Sequence, residues 1–339
     1  MKKSIKAGAA CILALAAAIV PALSGCGKAA DSALTPVTLN EVAHSIFYAP
    51  QYAAIELGFF KEEGIDLTLV NGGGADKVMT ALISGDADIG FMGSEASIYT
   101  YAQGAGDYAV NFAQLTQRAG NFLVSREPDD QFSWDKLKGC KVLGGRAGGM
   151  PQMVFEFILK KNGIDPRTDL TIDQSISFGL TAAAFTSDDA DYTVEFEPYA
   201  TGLELEGSGY VVASLGTDSG YVPYTAYSAR KSYVETHPEL IQRFTNALQK
   251  GIDYVNSHSA EEIAKTIQPQ FKETPLENIT AIVNRYQSQD TWKQDLIFEK
   301  DSFELLQNIL EEAGELEARV PYEKLVTTEF AGKAAGAYQ

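Results

Sequence analysis

The chain has 339 residues, of which 45% are hydrophobic and 21% are charged. These fractions are typical of a soluble globular protein and exclude a mainly disordered chain. The formal net charge is −18, and it becomes −21 without the first 25 residues, which hold three lysines and no acid. Such an acidic surface excludes nucleic acid as a partner and excludes membrane binding through a basic patch.

A signal segment is predicted at the start of the chain. "MKKSIK" is basic, "AGAACILALAAAIVPAL" is a short apolar run, and "LSGC" follows it up to Cys26. "LSGC" resembles a bacterial lipobox, which implies cleavage before Cys26 and attachment of a lipid to its sulfur. We expect a signal peptide over 1–25, a tether over 26–34, and an extracytoplasmic protein that is lipid-anchored to the bacterial cell membrane. An ordinary secretory signal or a transmembrane anchor is the alternative.

Strands and helices alternate in the first part of the mature chain. "TPVTLNEVAH" predicts a strand, "APQYAAIELGFFKEEG" a helix, "IDLTLVNG" a strand, "GADKVMTALISG" a helix and "ADIGFMG" a third strand. This order favours a largely parallel sheet with helices on its faces. "AVNFAQLTQR" and "NFLVSRE" then predict two strands with no helix between them, and these lead out of the first unit.

A second alternating unit begins at "WDKLKGCKVLGGR". It continues with a helix "MPQMVFEFILKKNG", a strand "DLTIDQSI", a short helix "LTAAAF", a strand "DYTVEF", a helix "PYATGLELEG" and a strand "YVVASL". From Lys231 onward the pattern is almost wholly helical, and Ser259 with Glu262 predicts a capping box. Cys140 stands at the start of a strand, where we expect a small buried residue with no disulfide partner.

One phrase occurs twice in the chain, as "ALISGDADIGFMGSEA" from Ala81 and as "AFTSDDADYTVEFEPYA" from Ala184. Each copy predicts the end of a helix, an acidic turn, a strand and a polar corner. Ligands bind at the carboxyl ends of the strands in sheets of this kind. We therefore expect the two corners to face each other across a cleft.

The stretch "FYAPQYAAIELGFFKEEGIDLTLVNGGGADKVMTALISGDADIGFMGSEA" resembles the NMT1/THI5-like and SsuA-like solute-binding proteins of ABC importers. "LKGCKVLGGRAGGMPQMVFEFILKKNGID", "FEPYA" and "VPYTAYSARKSYVETHPELIQRFTNAL" extend the resemblance over nearly all of the mature chain. It implies an α/β, two-lobed periplasmic-binding-protein type II fold with two crossover strands and a helical C-terminal region. Lobe I is then expected to hold 35–118 and 226–339, and lobe II to hold 119–225.

The resemblance also implies a role for the protein. It would capture a small-molecule ligand in the cleft between the lobes, which close over it, and deliver it to the ABC permease and ATPase subunits. We expect it to act as a monomer. A sensor or adhesion lipoprotein on the same fold is the alternative.

The corners after the predicted strands and around the crossovers supply the candidate ligand-binding residues, because polar and aromatic side chains gather there. A free histidine in the first corner is expected to donate or accept a hydrogen bond. Six aromatic rings near the corners suit stacking on a planar heterocycle, namely Phe47, Tyr48, Phe178, Tyr199, Tyr221 and Tyr224. Helix caps, surface positions and core packing are the alternatives for these side chains. The full set is His44, Ser45, Phe47, Tyr48, Ser94, Glu95, Arg146, Phe178, Thr181, Glu195, Glu197, Tyr221 and Tyr224.

The corners hold more carboxylates and phenol rings than bases, whereas an anion site needs convergent basic or N–H donors. This balance favours a neutral or amino-bearing heterocycle, with a thiamine-pyrimidine precursor first. An aliphatic sulfonate or taurine held by Arg146, Ser45 and helix N-termini is the alternative. The glycine-rich "GGRAGGMPQ" corner lacks the spacing of a nucleotide-binding loop.

Enzymes must also be considered, because fungal relatives of this fold make the thiamine pyrimidine and carry a cysteine-rich cluster. The mature globular part of this chain has only Cys140, and its three histidines, His44, His237 and His258, show no metal-binding spacing. No nucleophile elbow is visible. We therefore predict a binding protein without catalytic residues, metal or cofactor, and keep a pyrimidine-synthesis enzyme as an alternative.

Overall fold

The computed structural model describes residues 33–176, 179–187 and 189–336. The predicted signal peptide, Cys26 and most of the predicted tether lie outside these ranges, as does Phe178. In the described ranges, no helix combines the length and the apolar character needed to cross a membrane.

Ten strands in the described residues form two five-stranded sheets. In chain order they are β1 (Thr35–Glu41), β2 (Ile65–Asn71), β3 (Ile89–Gly93), β4 (Ala109–Thr116), β5 (Asn121–Ser125), β6 (Lys141–Leu143), β7 (Thr171–Asp173), β8 (Tyr192–Phe196), β9 (Tyr210–Ser214) and β10 (Thr225–Arg230). The first sheet has the order β2-β1-β3-β10-β4 and the second the order β7-β6-β8-β5-β9.

The two sheets repeat one plan. In the first, β2, β1 and β3 are parallel, and β10 is antiparallel to both β3 and β4. In the second, β7, β6 and β8 are parallel, and β5 is antiparallel to both β8 and β9. The chain leaves the first sheet after Thr116 and returns to it at Thr225, so the predicted mixed α/β architecture with two sheets is confirmed.

Helices flank the sheets and fill the C-terminal part. They are α1 (Ala49–Glu56), α2 (Phe59–Glu62), α3 (Ala75–Ser84), α4 (Glu95–Ala102), α5 (Met150–Lys161), α6 (Thr181–Ser187), α7 (Tyr199–Glu206), α8 (Leu215–Ser219), α9 (Lys231–Thr236), α10 (Pro238–Ser257), α11 (Ala260–Ile267), α12 (Leu276–Ser288), α13 (Lys300–Ala313), α14 (Tyr322–Leu325) and α15 (Glu329–Ala334). The predicted helical C-terminal region is confirmed, and so is the capping box between Ser259 and Glu262 at the start of α11.

The single helix predicted over "APQYAAIELGFFKEEG" is wrong in one respect. Gly58 adopts a left-handed backbone with a φ of 77°, which separates α1 from α2. Cys140 also differs from its prediction, because it is only half-buried and its thiol donates to the Lys136 carbonyl over 3.2 Å.

From Leu34 onward the described residues form one compact unit, with most of their buried apolar side chains in a single core cluster. The long helix α10 presses against α1 at Gly251, where an added Cβ would lie only 2.3 Å from the Pro50 carbonyl oxygen. This close approach fixes α1 and, with it, the corner between β1 and α1. The Trp292 indole also donates to the Phe47 carbonyl in that corner over 2.8 Å.

Candidate functional site

A cavity of about 260 Å³ lies where the carboxyl ends of β1, β3 and β8 meet the amino end of α5. The β1–α1, β2–α3 and β3–α4 corners contribute Val42, Ala43, His44, Ser45, Tyr48, Asn71, Gly73, Gly74, Ala75, Gly93 and Glu95. The facing wall consists of Arg146, Gly149, Met150, Pro151, Gly179, Phe196, Glu197 and Tyr199, and the start of β10 adds Tyr224 and Thr225. Both sheets therefore enclose the same space, as expected for a cleft.

The acidic turns of the repeated phrase have the same function in both sheets. The Asp88 carboxylate accepts from the Thr38 N–H over 2.8 Å, while the Asp88 N–H donates to the Thr38 carbonyl. Asp191 makes the same pair of bonds with Lys141. Each turn thus fixes its strand against a parallel neighbour, and the corners that follow β3 and β8 line one cavity. The predicted correspondence of the two phrases is confirmed.

Glu95 is the buried carboxyl of the β3–α4 corner. The residue is 3% exposed, and its Oε2 atom has no hydrogen-bond partner among the described residues. An added Cβ on Gly93 would lie 2.2 Å from that oxygen, so the carboxyl needs the glycine beside it. Burial raises the pKa of Glu95 to about 7, and the Met150 N–H and the charge of Arg146 oppose this only in part.

Glu197 is the buried carboxyl of the β8–α7 corner, and it has partners. Its Oε1 atom accepts from the Arg285 guanidinium over 2.6 Å and from the Thr201 hydroxyl over 3.0 Å. Burial raises the pKa of Glu197 despite the opposing charge of Arg285. Arg285 also pairs with Glu204 over 2.8 Å. The Ser45 hydroxyl donates to the Glu197 carbonyl over 3.0 Å and so links the first corner of the cavity to this one.

His44 lies on the cavity wall, but the prediction of a free hydrogen-bonding histidine is wrong. Its Nδ1 lies 2.7 Å from a Glu41 carboxylate oxygen and its Nε2 lies 3.0 Å from the Gln270 carbonyl. Because both partners are acceptors, the geometry matches a doubly protonated ring, and the hydrogen bond with Glu41 raises the pKa of His44. The fully buried Glu41 also accepts from the Gln51 amide and the Tyr52 hydroxyl.

Arg146 stands at the mouth of the cavity, with a side chain that is 53% exposed. Its guanidinium lies 3.2 Å from the Asp76 carboxylate of α3, which is on the opposite wall. Gly149 and Met150, at the amino end of the twelve-residue helix α5, lie beside it. The N–H groups of this helix end and Arg146 are the donors that an anion would find here.

Two phenols complete the polar part of the wall. Tyr48 and Tyr224 are each 3% exposed, and burial raises the pKa of both well above the usual range. Both therefore keep their hydroxyl protons at neutral pH. The Tyr224 hydroxyl has no hydrogen-bond partner in the described part of the chain, and the charge of Glu95 is close enough to raise its pKa further.

The structure brings seven of the predicted residues to the cavity: His44, Ser45, Tyr48, Glu95, Arg146, Glu197 and Tyr224. Five others lie off its wall, namely Phe47, Ser94, Thr181, Glu195 and Tyr221. Phe178 lies outside the described residues.

Physical reasons account for the five residues off the wall. Phe47 is fully buried against Tyr224 and Tyr286, and Gly120 leaves room for its ring. The Ser94 hydroxyl donates to the Pro223 carbonyl over 2.9 Å and does not cap α4. These two side chains stabilise the corners without facing the cavity.

Glu195 and Thr181 form a buried contact in the second sheet. The Glu195 carboxyl accepts from Thr193 over 2.6 Å and from Thr181 over 3.0 Å, and burial raises its pKa to about 7. Tyr221 is 53% exposed, lies under the Arg118 guanidinium and donates to Asp290 over 2.6 Å. It lies on the outer surface of the crossover.

Sequence reasoning missed the β2–α3 corner, from Asn71 to Ala75. The Met150–Pro151 helix start belongs to the "GGRAGGMPQ" corner that the sequence had indicated, although neither residue was among the predicted site residues. A signal existed for the β2–α3 corner, since "VNGGGAD" places a glycine run between a strand and a helix, as at the other corners. Phe196 and Tyr199 add apolar surface, and Tyr199 is one of the six aromatic residues predicted for stacking.

Comparisons with known proteins agree with this arrangement. The family described as NMT1/THI5 like matches residues 46–262. YtlA of Bacillus subtilis (strain 168), whose name describes a binding protein, is 44% identical over 333 residues, which cover 98% of each chain. A 4-amino-5-hydroxymethyl-2-methylpyrimidine phosphate synthase of Aspergillus parasiticus is 22% identical over 226 residues, which cover 63% of this chain and 64% of the synthase.

Among solved structures, the periplasmic aliphatic sulphonate binding protein SsuA of Escherichia coli superposes with a TM-score of 0.68. The two chains are 17% identical, and the match covers 86% of this chain and 97% of SsuA. At this identity the likeness concerns the fold. The chain belongs to the NMT1/THI5-like family, and it has the fold of the periplasmic binding proteins.

Proposed function

We propose that the chain is an extracytoplasmic solute-binding protein that captures a small planar N-heterocycle and delivers it to an ABC permease and ATPase. The observation that carries this proposal is the cavity itself. Corners of both sheets line it, and polar groups of both converge on a space suited to a small solute. A guest that contacts both walls is buried against both sheets at once. A capture protein gains affinity from this burial.

The lining supports a heterocycle as the guest. Tyr48, Phe196, Tyr199 and Tyr224 supply flat apolar surface, and apolar area dominates the walls. Two buried carboxyls, Glu95 and Glu197, lie on opposite walls. The nearest guanidinium on the wall, that of Arg146, is already paired with Asp76. The cavity therefore favours hydrogen-bond donors, such as a ring amino group, over anions.

A sulfonate is the second candidate, because Arg146 and the amino end of α5 adjoin each other at the mouth. The structural relative SsuA is described as an aliphatic sulphonate binding protein. In this chain an anion at that position would have to compete with Asp76 for the guanidinium.

An enzyme on the same fold is the third candidate, suggested by the synthase of Aspergillus parasiticus. The proposal of a binding protein predicts that a bound solute is recovered unchanged. Mass spectrometry of the solute after hours with the protein tests this, and any conversion would contradict the proposal.

The deciding experiment is a thermal-shift and calorimetric screen of the mature protein, residues 27–339. The probes are 4-amino-5-hydroxymethyl-2-methylpyrimidine, riboflavin, an alkanesulfonate and taurine. We expect the aminopyrimidine to stabilise the fold by RT ln(1 + [L]/Kd) and the alkanesulfonate to leave it unchanged. Stabilisation by the sulfonates alone would overturn the heterocycle and support the second candidate.

The importer partners need a separate test in cells. Deleting the gene should abolish uptake of the bound solute at concentrations near its Kd, while uptake at much higher concentrations is less affected. Unchanged uptake with loss of a transcriptional response would instead indicate a sensor.

A further inference from the structure

We propose that Glu95 is the specificity-determining residue of the cavity, and that it selects guests by accepting a hydrogen bond from an amino N–H of the guest. The Tyr224 hydroxyl, which belongs to the same cavity wall, donates to an acceptor atom of the same guest. This inference rests on the proposed function only in that it needs a small solute in the cavity. It does not depend on whether that solute is a heterocycle.

Two polar atoms of the cavity wall lack hydrogen-bond partners in the described ranges. Glu95 Oε2 and the Tyr224 hydroxyl are both shielded from water, and neither has a partner in the described ranges. Both residues line the cavity. Buried polar groups in native proteins are nearly always paired, and an isolated one is costly. A guest that provides an N–H and an acceptor would satisfy both once these two side chains rotate to face it.

The other buried glutamates show why Glu95 is the recognising group. In the described part of the chain the buried glutamates are Glu41, Glu95, Glu195 and Glu197. Glu41 accepts from three side chains, Glu195 from two threonines, and Glu197 from Arg285 and Thr201. Each of these three is satisfied within the chain. Glu95 alone among them keeps an oxygen without a partner.

The surroundings of Glu95 also decide which guest fits. Tyr48, Tyr99 and Tyr224 all lie close enough for its charge to affect them, and all three are neutral phenols. The nearest cation, Arg146, is exposed and paired with Asp76. The ionised form of Glu95 would repel a carboxylate or sulfonate placed beside it, whereas an amino group would meet its acceptor.

Two matched pairs of probes test the proposal by calorimetry on the mature protein. One pair is 4-amino-5-hydroxymethyl-2-methylpyrimidine and its analogue with hydrogen in place of the amino group. The other pair is taurine and isethionate, which differ by an amino group against a hydroxyl. We expect wild type to prefer the amino member of the pair that it binds by roughly a hundredfold, since the alternative leaves the Oε2 atom of Glu95 unpaired.

The variants assign that preference to Glu95. Glu95→Ala should bind both members of a pair equally, and Glu95→Gln should retain about a tenth of the preference, because its amide keeps one acceptor oxygen. Glu195→Gln is the matched control, since Glu195 is an equally buried carboxyl off the cavity wall, and it should discriminate as wild type does. Because Glu95 Oε2 has no partner to lose, Glu95→Gln should unfold no earlier than wild type.

The results of these experiments test the role of Glu95 and the proposed heterocycle separately. If wild type binds the sulfonate pair with a preference for taurine that depends on Glu95, the inference stands while the heterocycle proposal fails. A preference that survives in Glu95→Ala, equal binding of both members by wild type, or binding of neither pair overturns the inference.

Discussion

The corner after β3 and the corner after β8 begin alike and end differently. In both, an Asp-Ala-Asp turn fixes the strand to its parallel neighbour through a carboxylate and a backbone N–H. The first strand then ends at Gly93 and leads to Glu95, whose Oε2 has no partner among the described residues. The second ends at Phe196 and leads to Glu197, which is paired with Arg285.

This difference shows which structural features follow from the repeated phrase and which depend on residues far away in the chain. The turn and strand depend on local spacing, so both copies build the same scaffold. The partner of Glu197 is 88 residues away in the chain, on α12. Chain segments remote from the repeat therefore make the second corner structural and leave the first available for recognition.

Removing the partner of the second corner should give the largest effect. Arg285→Ala leaves the Glu197 carboxylate buried without its ion-pair partner, with only Thr201 donating to it. We expect a loss of about 3 kcal/mol in the free energy of unfolding, measured by urea denaturation. The double variant Arg285→Ala/Glu197→Gln should recover part of this loss, because it also removes the buried charge. Equal losses in the single and double variants would contradict the ion-pair explanation.

Arg319→Ala is the control for Arg285→Ala. Arg319 also bridges two glutamates, Glu304 and Glu311, but all three side chains are exposed. Exposed ion pairs contribute little, so this variant should unfold close to wild type. A loss as large as that of Arg285→Ala would show that burial of Glu197 does not matter.

The pH dependence of stability compares Glu95, which has one oxygen without a hydrogen-bond partner among the described residues, with Glu195, whose oxygens both have partners. Burial raises the pKa of both Glu95 and Glu195 to about 7. Between about pH 4.5 and 7 the native state keeps protons that the unfolded chain has released, so stability falls as the pH rises through this range. Each carboxyl should contribute a fall on the order of 3 kcal/mol. His44, whose pKa is also raised, changes stability in the same direction.

Urea unfolding at pH 5, 6, 7 and 8 measures this fall. Glu95→Gln and Glu195→Gln should each flatten the profile, and the double variant should flatten it most. If Glu95→Gln alone leaves the profile unchanged, the carboxyl of the first corner is not buried as described.

A single added methyl group should have opposite effects on stability at the end of β3 and in α7. Gly93→Ala places a Cβ 2.2 Å from a Glu95 oxygen and should cost about 1–3 kcal/mol of stability by displacing that carboxyl. Gly202→Ala is the contrasting variant, since nothing lies within 4 Å of an added Cβ in the middle of α7. It should raise stability by roughly 0.5–1 kcal/mol, as glycine-to-alanine changes in helices do. Thermal and urea unfolding would show opposite signs.

The smallest effects should come from the shared turns. Asp88→Ala and Asp191→Ala each remove one carboxylate that accepts a backbone N–H, and each should cost about 1 kcal/mol. Asp88 is the less exposed of the two, so its loss should be at least as large. A much larger loss for Asp191→Ala would mean that the two turns are not equivalent.

Local pattern was sufficient for the alternating strands and helices, whereas the two crossover strands were implied by the family resemblance. Alternation of strands and helices predicted both sheets, and the repeated phrase predicted the corners that share the cavity. The left-handed Gly58 was not recognised as a break, because the apolar spacing of "APQYAAIELGFFKEEG" continues through it.

The site was predictable at the level of corners, and much less so at the level of side chains. Glu195 and Glu197 lie two residues apart, yet only Glu197 lines the cavity, because β8 ends between them and Thr181 and Thr193 engage Glu195. The second partner of His44 is the Gln270 carbonyl, 226 residues away. Contacts of that separation leave no local pattern in a sequence.

The strand order of the first sheet has a consequence for synthesis of the chain. β10 lies between β3 and β4, yet its residues follow every strand of the second sheet in sequence. On the ribosome, the second sheet is therefore complete while β3 and β4 still lack the strand that joins them. Assembly of the first sheet waits for residues 225–230, and the β1–α1 corner waits longer still, for Gln270 and Trp292.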